Sequence, residues 1–248
     1  AHYLYVEIAQ KLLKQYLQNK FIFFIENNSA NLIRNIASET NGFAVGTVSA
    51  CITIFSNVIL FLGICSLLIF YNINSIFVII ALLIICGFIA NLSRKKFGKW
   101  GKIRQVEAGK MIQKLNEVIG SIKEVILYNK SDFFSSQLKK PLKNFSDAAI
   151  FKDAFTSITN PIIEFTAILI FFSFFSYLIF FTQIEFSEVI VIFGVFAFSS
   201  IRLLPNLIGI VRSVQIIRFN FPAVERIFND LIKSKKNKIT NFDIIDNI

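Results

Sequence analysis

Charged side chains are absent from one long part of this 248-residue chain, the run from Thr40 through Ser93. Soluble domains carry about 25% charged residues, whereas this chain carries 17% and is 54% hydrophobic. One helical crossing of a hydrocarbon core takes roughly 20 residues, so the run is long enough for two crossings. Backbone amides find no water partner inside a bilayer, and each crossing must therefore be helical. The lack of charge predicts an all-α membrane protein and excludes a soluble globular domain.

Residues that bind metals or phosphate are scarce as well. The three cysteines, Cys51, Cys65 and Cys86, have no C-x-x-C spacing, and there is a single histidine, His2. They are typical of small apolar packing residues, and no metal site is predicted. No G-x-x-x-x-G-K-[ST] phosphate loop is present, because Trp, Ile or Met follows the Gly-Lys pairs at 98–99, 101–102 and 109–110. We predict no catalytic residue, no cofactor and no enzyme activity in this chain.

Lysine and arginine outnumber the acids, giving a net charge of +10. Loops on the cytoplasmic side of membrane helices collect these cations, so the charge favours a membrane topology and not a nucleic-acid partner. Hydropathy predicts four spans, at 43–70, 76–93, 161–182 and 188–214. The turns at 71–75 and 182–187 lack Lys and Arg, whereas a basic block follows position 93 at once. The sequence predicts a multi-pass protein of the inner (plasma) membrane with both chain ends in the cytoplasm.

The segments between the spans have helical patterns of their own. A series of apolar residues at spacings of three and four predicts one face of a helix: Ala108, Ile112, Leu115, Ile119, Ile122 and Ile126. A second helix that continued from position 76 to about 117 would be about 60 Å long. Another helix is predicted from about Tyr3 to Asn19, before an interruption at 27–29. Long helical hairpins of this kind are typical of transporters that are driven by a soluble motor.

Four segments carry a resemblance to a known family. Residues 30–40 are similar to the pattern G-x-L-x-x-R-x-x-x-D-V, from which three positions depart: Ala30 stands for its Gly, Asn35 for its Arg and Glu39 for its Asp. Residues 120–126 resemble a G-x-x-x-V-K/KEV segment, 160–164 a P-x-x-E segment, and 223–228 an A-x-E-R-I-F segment. In this order they resemble the transmembrane domain of ABC exporters over essentially the whole chain.

The resemblance implies a set of domains and partners. Residues 1–232 would form a partial transmembrane domain that lacks the family's first two helices, and 233–248 a linker and the start of a nucleotide-binding domain. That domain would bind ATP and Mg, and a second copy of the chain would complete a homodimer in the lipid bilayer. Coupling to the nucleotide-binding domain would fall on two segments, with the candidates Phe24, Glu26, Asn28, Gly120, Ile122, Lys123 and Glu124.

The substrate is indicated by residues 202–206, which resemble an R-L-x-P-x block of lipid-linked oligosaccharide flippases of bacterial glycosylation. Arg202, Arg212 and Pro205 are the candidates for the substrate cavity, since Arg binds phosphate through two parallel hydrogen bonds. Alternatively, Arg202 pairs with Glu164 or Glu188, Arg212 snorkels to the membrane surface, and Pro205 only kinks its helix. Glu164 is expected at the N-terminus of the third membrane helix, where an acid is favourable.

An amphipathic lipid, with lipid-linked oligosaccharides among the candidates, is therefore the expected substrate. A peptide or multidrug exporter is the nearest alternative, and a stand-alone four-span scaffold protein without a motor is the alternative from another class.

Overall fold

The computed structural model describes residues 1–181 and 186–239, which are helical almost throughout and contain no strand. The α-helices are α1 (His2–Leu17), α2 (Phe21–Glu26), α3 (Ser29–Arg34), α4 (Ser49–Tyr71), α5 (Ser75–Gly120), α6 (Ile122–Leu127), α7 (Ser131–Phe181) and α8 (Phe186–Ile239). Two π-helical segments, Asn35–Glu39 and Gly42–Val48, link α3 to α4. The predicted all-α fold class is confirmed.

Within the described residues, four helical stretches are long and apolar enough to cross a membrane. They are Ser29–Tyr71, α5, the stretch Ser131–Phe180 of α7 and the stretch Ser187–Ile232 of α8. Each of the four predicted spans falls within one of them, apart from positions 181 and 182 of the third, and position 182 lies outside the described residues. The first predicted turn is present, because α4 ends at Tyr71 and α5 begins at Ser75. The second predicted turn, at 182–187, lies mostly outside the described residues.

Helix α5 contains 46 residues and α7 contains 51. At 1.5 Å per residue these helices are about 70 Å and 75 Å long, roughly twice the thickness of a hydrocarbon core. The predicted continuation of the second helix from position 76 to about 117 is therefore confirmed, and both helices are longer than one crossing requires. The predicted single apolar face from 108 to 126 is wrong, since α5 ends at Gly120 and α6 starts afresh at Ile122. Ala108 is buried, whereas Ile119 and Ile126 are exposed.

Helix α7 also corrects the expected position of Glu164. The helix begins at Ser131 and continues through Pro141 and Pro161 without interruption. Glu164 therefore lies deep within a helix, and the favourable interaction with a helix N-terminus does not apply to it. Proline is tolerated inside such helices because neighbouring groups and small local adjustments satisfy the carbonyl that it leaves free.

The chain divides into two compact units. The membrane unit consists of residues 50–96 and 153–216. Its core contains buried apolar side chains from α4, α5, α7 and α8, among them Leu68, Leu82, Leu178 and Leu207. On α8 the buried residues Leu203, Leu207 and Val211 recur every fourth position, which places them on one face of the helix.

The second unit, which we call the extension unit, consists of residues 1–49 and 97–152 together with the chain from 217 onward. Its small apolar core is formed by Leu12, Tyr16, Leu32 and Ile227. Helix α8 continues to Ile239. The rest of the predicted linker and nucleotide-binding segment, 240–248, lies outside the described residues, and that assignment stays a prediction.

Candidate functional site

A fully buried carboxylate, that of Glu39, lies between two arginines in the extension unit. Its Oε1 is 3.7 Å from Nε of Arg34, and its Oε2 is 3.5 Å from Nη2 of Arg104. Glu39 belongs to the first π-helical segment, and π-helical turns are common at functional sites. Loss of one partner of a buried ion pair leaves an uncompensated charge and costs about 3–5 kcal/mol. The two arginines therefore fix the position of this segment relative to α5.

The two arginines also bind other groups. Arg34 donates from Nη1 to the carbonyl oxygen of Gln105 at 3.3 Å and from Nη2 to Oδ1 of Asn35 at 3.3 Å. The guanidinium carbon of Arg104 lies 5.4 Å from the centre of the Phe219 ring on α8. A cation over an aromatic face is attracted by the ring quadrupole. The pair of arginines thus links α3, α5 and α8.

A second buried group lies around Asp230 of α8. The Tyr16 hydroxyl donates to Oδ2 of Asp230 at 2.6 Å, and Nδ2 of Asn35 donates to the same oxygen at 2.7 Å. Nε of Arg226 lies 3.5 Å from the other oxygen, Oδ1. Burial raises the pKa of Tyr16, and the hydrogen bond to Asp230 raises it further. The hydroxyl therefore remains protonated and keeps its role as a donor.

Asn35 connects the two groups, because it accepts from Arg34 and donates to Asp230. Together they form one network across four parts of the chain, which we call the polar network: Tyr16, Arg34, Asn35, Glu39, Arg104, Arg226 and Asp230. Four buried atoms of the network have no hydrogen-bond partner among the described residues: Nε of Arg34, Arg104 and Arg226, and Oε1 of Glu39. Charge attraction between the arginines and the two carboxylates therefore holds the network together beside its hydrogen bonds.

Glycines allow the backbones to approach closely around the polar network. A Cβ atom added to Gly101 of α5 would collide with the carbonyl oxygen of Phe219. A Cβ atom on Gly46 would collide with the side-chain amide of Asn220, and one on Gly109 with the guanidinium of Arg34. Of the Gly-Lys pairs in the sequence, those at 101 and 109 thus have packing roles within α5.

The first predicted coupling segment lies on the surface of the extension unit. Phe24 and Glu26 are exposed in the short helix α2, next to the exposed apolar side chains of Phe21, Ile22 and Ile25. Asn28 has a local role, since its Oδ1 accepts from the backbone N–H of Ala30 at 2.9 Å and caps α3.

The second predicted coupling segment forms the turn between α5 and α7. Gly120 is the last residue of α5, and Ile122, Lys123 and Glu124 are exposed in α6. Helix α6 ends in a Schellman motif, in which Asn129 takes a φ of 49° and Lys130 donates to the carbonyl of Val125 at 3.0 Å. This motif stabilises the turn. It leaves the apolar side chains of Ile126 and Leu127 exposed, at 71% and 78%.

The three candidates for substrate contact lie on α8 in the membrane unit. Arg202, Pro205 and Arg212 are all exposed. Neither Glu164 nor Glu188 forms an ion pair with Arg202, and within the described ranges no acid does so. The two apolar grooves found in this unit, of about 600 Å³ and 580 Å³, are lined by other residues. The structure therefore places the three residues on an exposed face of α8, and neither of these two grooves includes them.

Sequence reasoning identified only part of the polar network. Arg34, Asn35, Glu39 and Arg226 fall in segments that carried the resemblance, although no role was predicted for them. No sequence pattern pointed to Tyr16 or Asp230, because the two residues are 214 positions apart and pair only in the folded chain. Asn35 was noted as a departure from the family's pattern, and it is the residue that joins the two halves of the network.

The model of the family described as the ABC transporter transmembrane region matches residues 1–201. The chain belongs to this family. No curated protein matches the chain. Transmembrane regions of ABC transporters generally work with nucleotide-binding domains and dimerise.

Proposed function

We propose that this ABC transporter transmembrane region is the membrane part of an ATP-driven exporter that flips an anionic amphipathic lipid across the inner membrane, with pyrophosphate-linked oligosaccharide lipids as the substrate class. The observation that carries the proposal is the exposure of Arg202 and Arg212 on α8, in a stretch of the membrane unit that carries no other charge from position 189 to 216.

The position of these arginines on the helix supports a role outside the core. On a helical wheel Arg202 and Arg212 are about 80° apart, whereas the buried residue Leu207 points about 140° away from each of them. Pro205 lies between the two arginines on the wheel and is also exposed. The two arginines and the proline therefore share the face of α8 that points away from the buried core residues.

The free-energy cost of a charged side chain inside a membrane span favours an anionic ligand for the face that carries Arg202 and Arg212. A charged side chain within a span costs roughly 2.5–3.5 kcal/mol, so such residues usually face water, a partner or a substrate. Arg202 and Arg212 are about 15 Å apart along the helix axis. At that spacing they are suited to successive contacts with a phosphorylated headgroup that moves along α8. Bidentate hydrogen bonds from each guanidinium would supply the affinity.

Transport would be driven by a nucleotide-binding domain that binds ATP and Mg. The exposed apolar side chains of α2 and α6 provide surfaces of the kind that a partner domain covers, and they support the two coupling segments. A second copy of the chain would form the other half of the pathway as a homodimer, with both chain ends in the cytoplasm.

The test measures transport by the full transporter, with its nucleotide-binding domain, in proteoliposomes that contain a fluorescent pyrophosphate-linked lipid. Arg202→Ala should abolish flipping while basal ATP hydrolysis continues. Arg202→Lys should restore flipping only in part, since Lys keeps the charge and loses the bidentate geometry. Ile201→Ala is the matched control, because Ile201 is the exposed neighbour, at 68%, and carries no charge.

Full flipping by Arg202→Ala would overturn the proposal. Equal loss in Arg202→Ala and Ile201→Ala would also do so, because it would show a general packing defect of α8. Transport of an uncharged peptide that competes with the lipid would favour the peptide exporter instead.

A further inference from the structure

Three consecutive cations, Arg94, Lys95 and Lys96, mark the place where the apolar stretch of α5 ends. All three are exposed. The residue before them, Ser93, is fully buried, and its hydroxyl donates to the carbonyls of Ile89 and Ala90 at 3.0 Å and 2.9 Å. Successive helical residues are about 100° apart, so the three cations cover about 200° of the helix circumference. Ser93 occupies the side that remains.

This group of cations, which we call the basic collar, has no acidic counterpart nearby in the sequence. No Asp or Glu occurs from Thr40 through Val106. Within the described part of the chain, none of the three collar residues forms an ion pair with a carboxylate. Arg104 further along α5 differs, because Glu39 neutralises it. The collar therefore presents uncompensated positive charge.

We propose that the basic collar binds the headgroups of anionic phospholipids, and that it gives this membrane protein a lipid preference of its own. The collar follows the hydrocarbon-spanning stretch directly, which places it at the depth of the headgroups. Each Lys or Arg near an anionic membrane surface contributes about 1 kcal/mol of attraction. The occupant is thus identified by charge complementarity, and the inference does not depend on which substrate the transporter moves.

The experiment is a titration of the purified chain in detergent micelles, followed by native mass spectrometry. The two titrants are dioleoylphosphatidylglycerol and dioleoylphosphatidylcholine, which have identical acyl chains and differ in headgroup charge. Adducts with phosphatidylglycerol should form at a concentration at least about fivefold lower, which is the factor that about 1 kcal/mol represents. The variant R94Q/K95Q/K96Q should show no difference between the two lipids.

The matched control is K139Q/K140Q/K143Q. It removes the same charge from three exposed lysines of α7. These lysines lie 18 or more positions before Pro161, on the order of 27 Å along the helix, and should be beyond the headgroups. The control variant should keep the full preference for phosphatidylglycerol. Fluorescence of Trp100, the single tryptophan, which stacks on Phe151, reports whether both variants are folded.

A further measurement needs no mutation. Raising the ionic strength from about 0.05 M to about 0.5 M shortens the Debye length several-fold. In the unmodified chain, phosphatidylglycerol and phosphatidylcholine should then form adducts at nearly the same concentration. Equal binding of the two lipids by the unmodified chain would overturn the inference, as would equal loss in the collar and control variants. Competition by glycerol phosphate at the same concentration would also overturn it, because a free phosphate would then suffice.

Discussion

The hydroxyl of Tyr16 donates a 2.6 Å hydrogen bond to Oδ2 of Asp230, and this bond joins α1 to α8. Tyr16 is 5% exposed, and its ring also lies 5.8 Å from that of Phe23. The bond ties α1 to α8, whose residues Phe219 and Asn220 pack against the glycines of neighbouring helices. The arrangement of the extension unit therefore depends on contacts between distant parts of the sequence.

Tyr16→Phe tests the strength of this bond. A hydrogen bond to a charged group is worth about 1.5–3 kcal/mol, and Asp230 retains Asn35 and Arg226 as partners in the variant. We expect the free energy of unfolding to fall by about 1.5 kcal/mol, measured by denaturation in detergent. Tyr3→Phe is the control on the same helix, since Tyr3 is 94% exposed. Equal effects of the two changes would contradict the assigned bond.

The effect of Tyr16→Phe on the free energy of unfolding should depend on pH, and the raised pKa of Tyr16 gives the direction. Because the pKa of Tyr16 is raised in the fold from its ordinary value of 10.0, the unfolded chain ionises first as the pH increases. The stability from Tyr16 is then present in full below pH 10.0 and decreases above it. The difference in stability between the unmodified chain and Tyr16→Phe should shrink above that pH. A difference that grew with pH would refute the assignment.

Replacement by alanine should change the free energy of unfolding in opposite directions at Gly98 and Gly101 of α5. Alanine is favoured over glycine inside a helix by about 1 kcal/mol, and a Cβ atom at Gly98 meets no atom within 4 Å. Gly98→Ala should therefore raise the free energy of unfolding by about 0.5–1 kcal/mol. Gly101→Ala should lower it by about 1–3 kcal/mol, because the Cβ atom meets the backbone of Phe219. Stabilisation by both changes would show that α5 and α8 do not approach closely here.

Ile122→Asp tests the second coupling segment in the full transporter. Ile122 is 48% exposed at the start of α6. A charge placed in an apolar contact with a nucleotide-binding domain would be buried without a partner, so substrate should no longer stimulate ATP hydrolysis. Leu142→Asp is the control, because Leu142 on α7 is 46% exposed and lies outside the coupling segment. Normal transport and normal stimulation in Ile122→Asp would contradict the coupling role.

Topology is tested by single-cysteine labelling after replacement of Cys51, Cys65 and Cys86. An impermeant thiol reagent added to intact cells should label cysteine substituted for Asn72, in the short turn before α5, and for Gln183, which lies outside the described residues. It should not label substitutions at Lys99, Lys140 or Lys235, because positively charged segments remain in the cytoplasm. Labelling of position 99 or 140 from outside would reverse the proposed orientation.

The sequence by itself determined the class of protein and the positions of the four apolar stretches that are long enough to cross a membrane. Hydropathy is a property of the local chain, so the uncharged run from Thr40 through Ser93 is apolar enough and long enough for two crossings whatever it packs against. The helical extensions beyond the spans were predicted for the same reason, since the period of three and four depends on near neighbours. Glu164 shows the limit of such reasoning. Pro161 indicated a helix start, whereas the surrounding fold tolerates the proline and continues α7 through it.

Only the tertiary structure decided which polar residues are buried and joined. Glu39 meets Arg104 across 65 positions, and Tyr16 meets Asp230 across 214. Nothing in the local pattern distinguishes these side chains from charged residues on a solvated helix face. Burial depends on which helices come together, and here close approaches at Gly46, Gly101 and Gly109 allow that packing. An unpaired charge becomes unfavourable only when neighbouring helices exclude water from it. Pairing between residues so far apart in the sequence is therefore decided by how the helices pack.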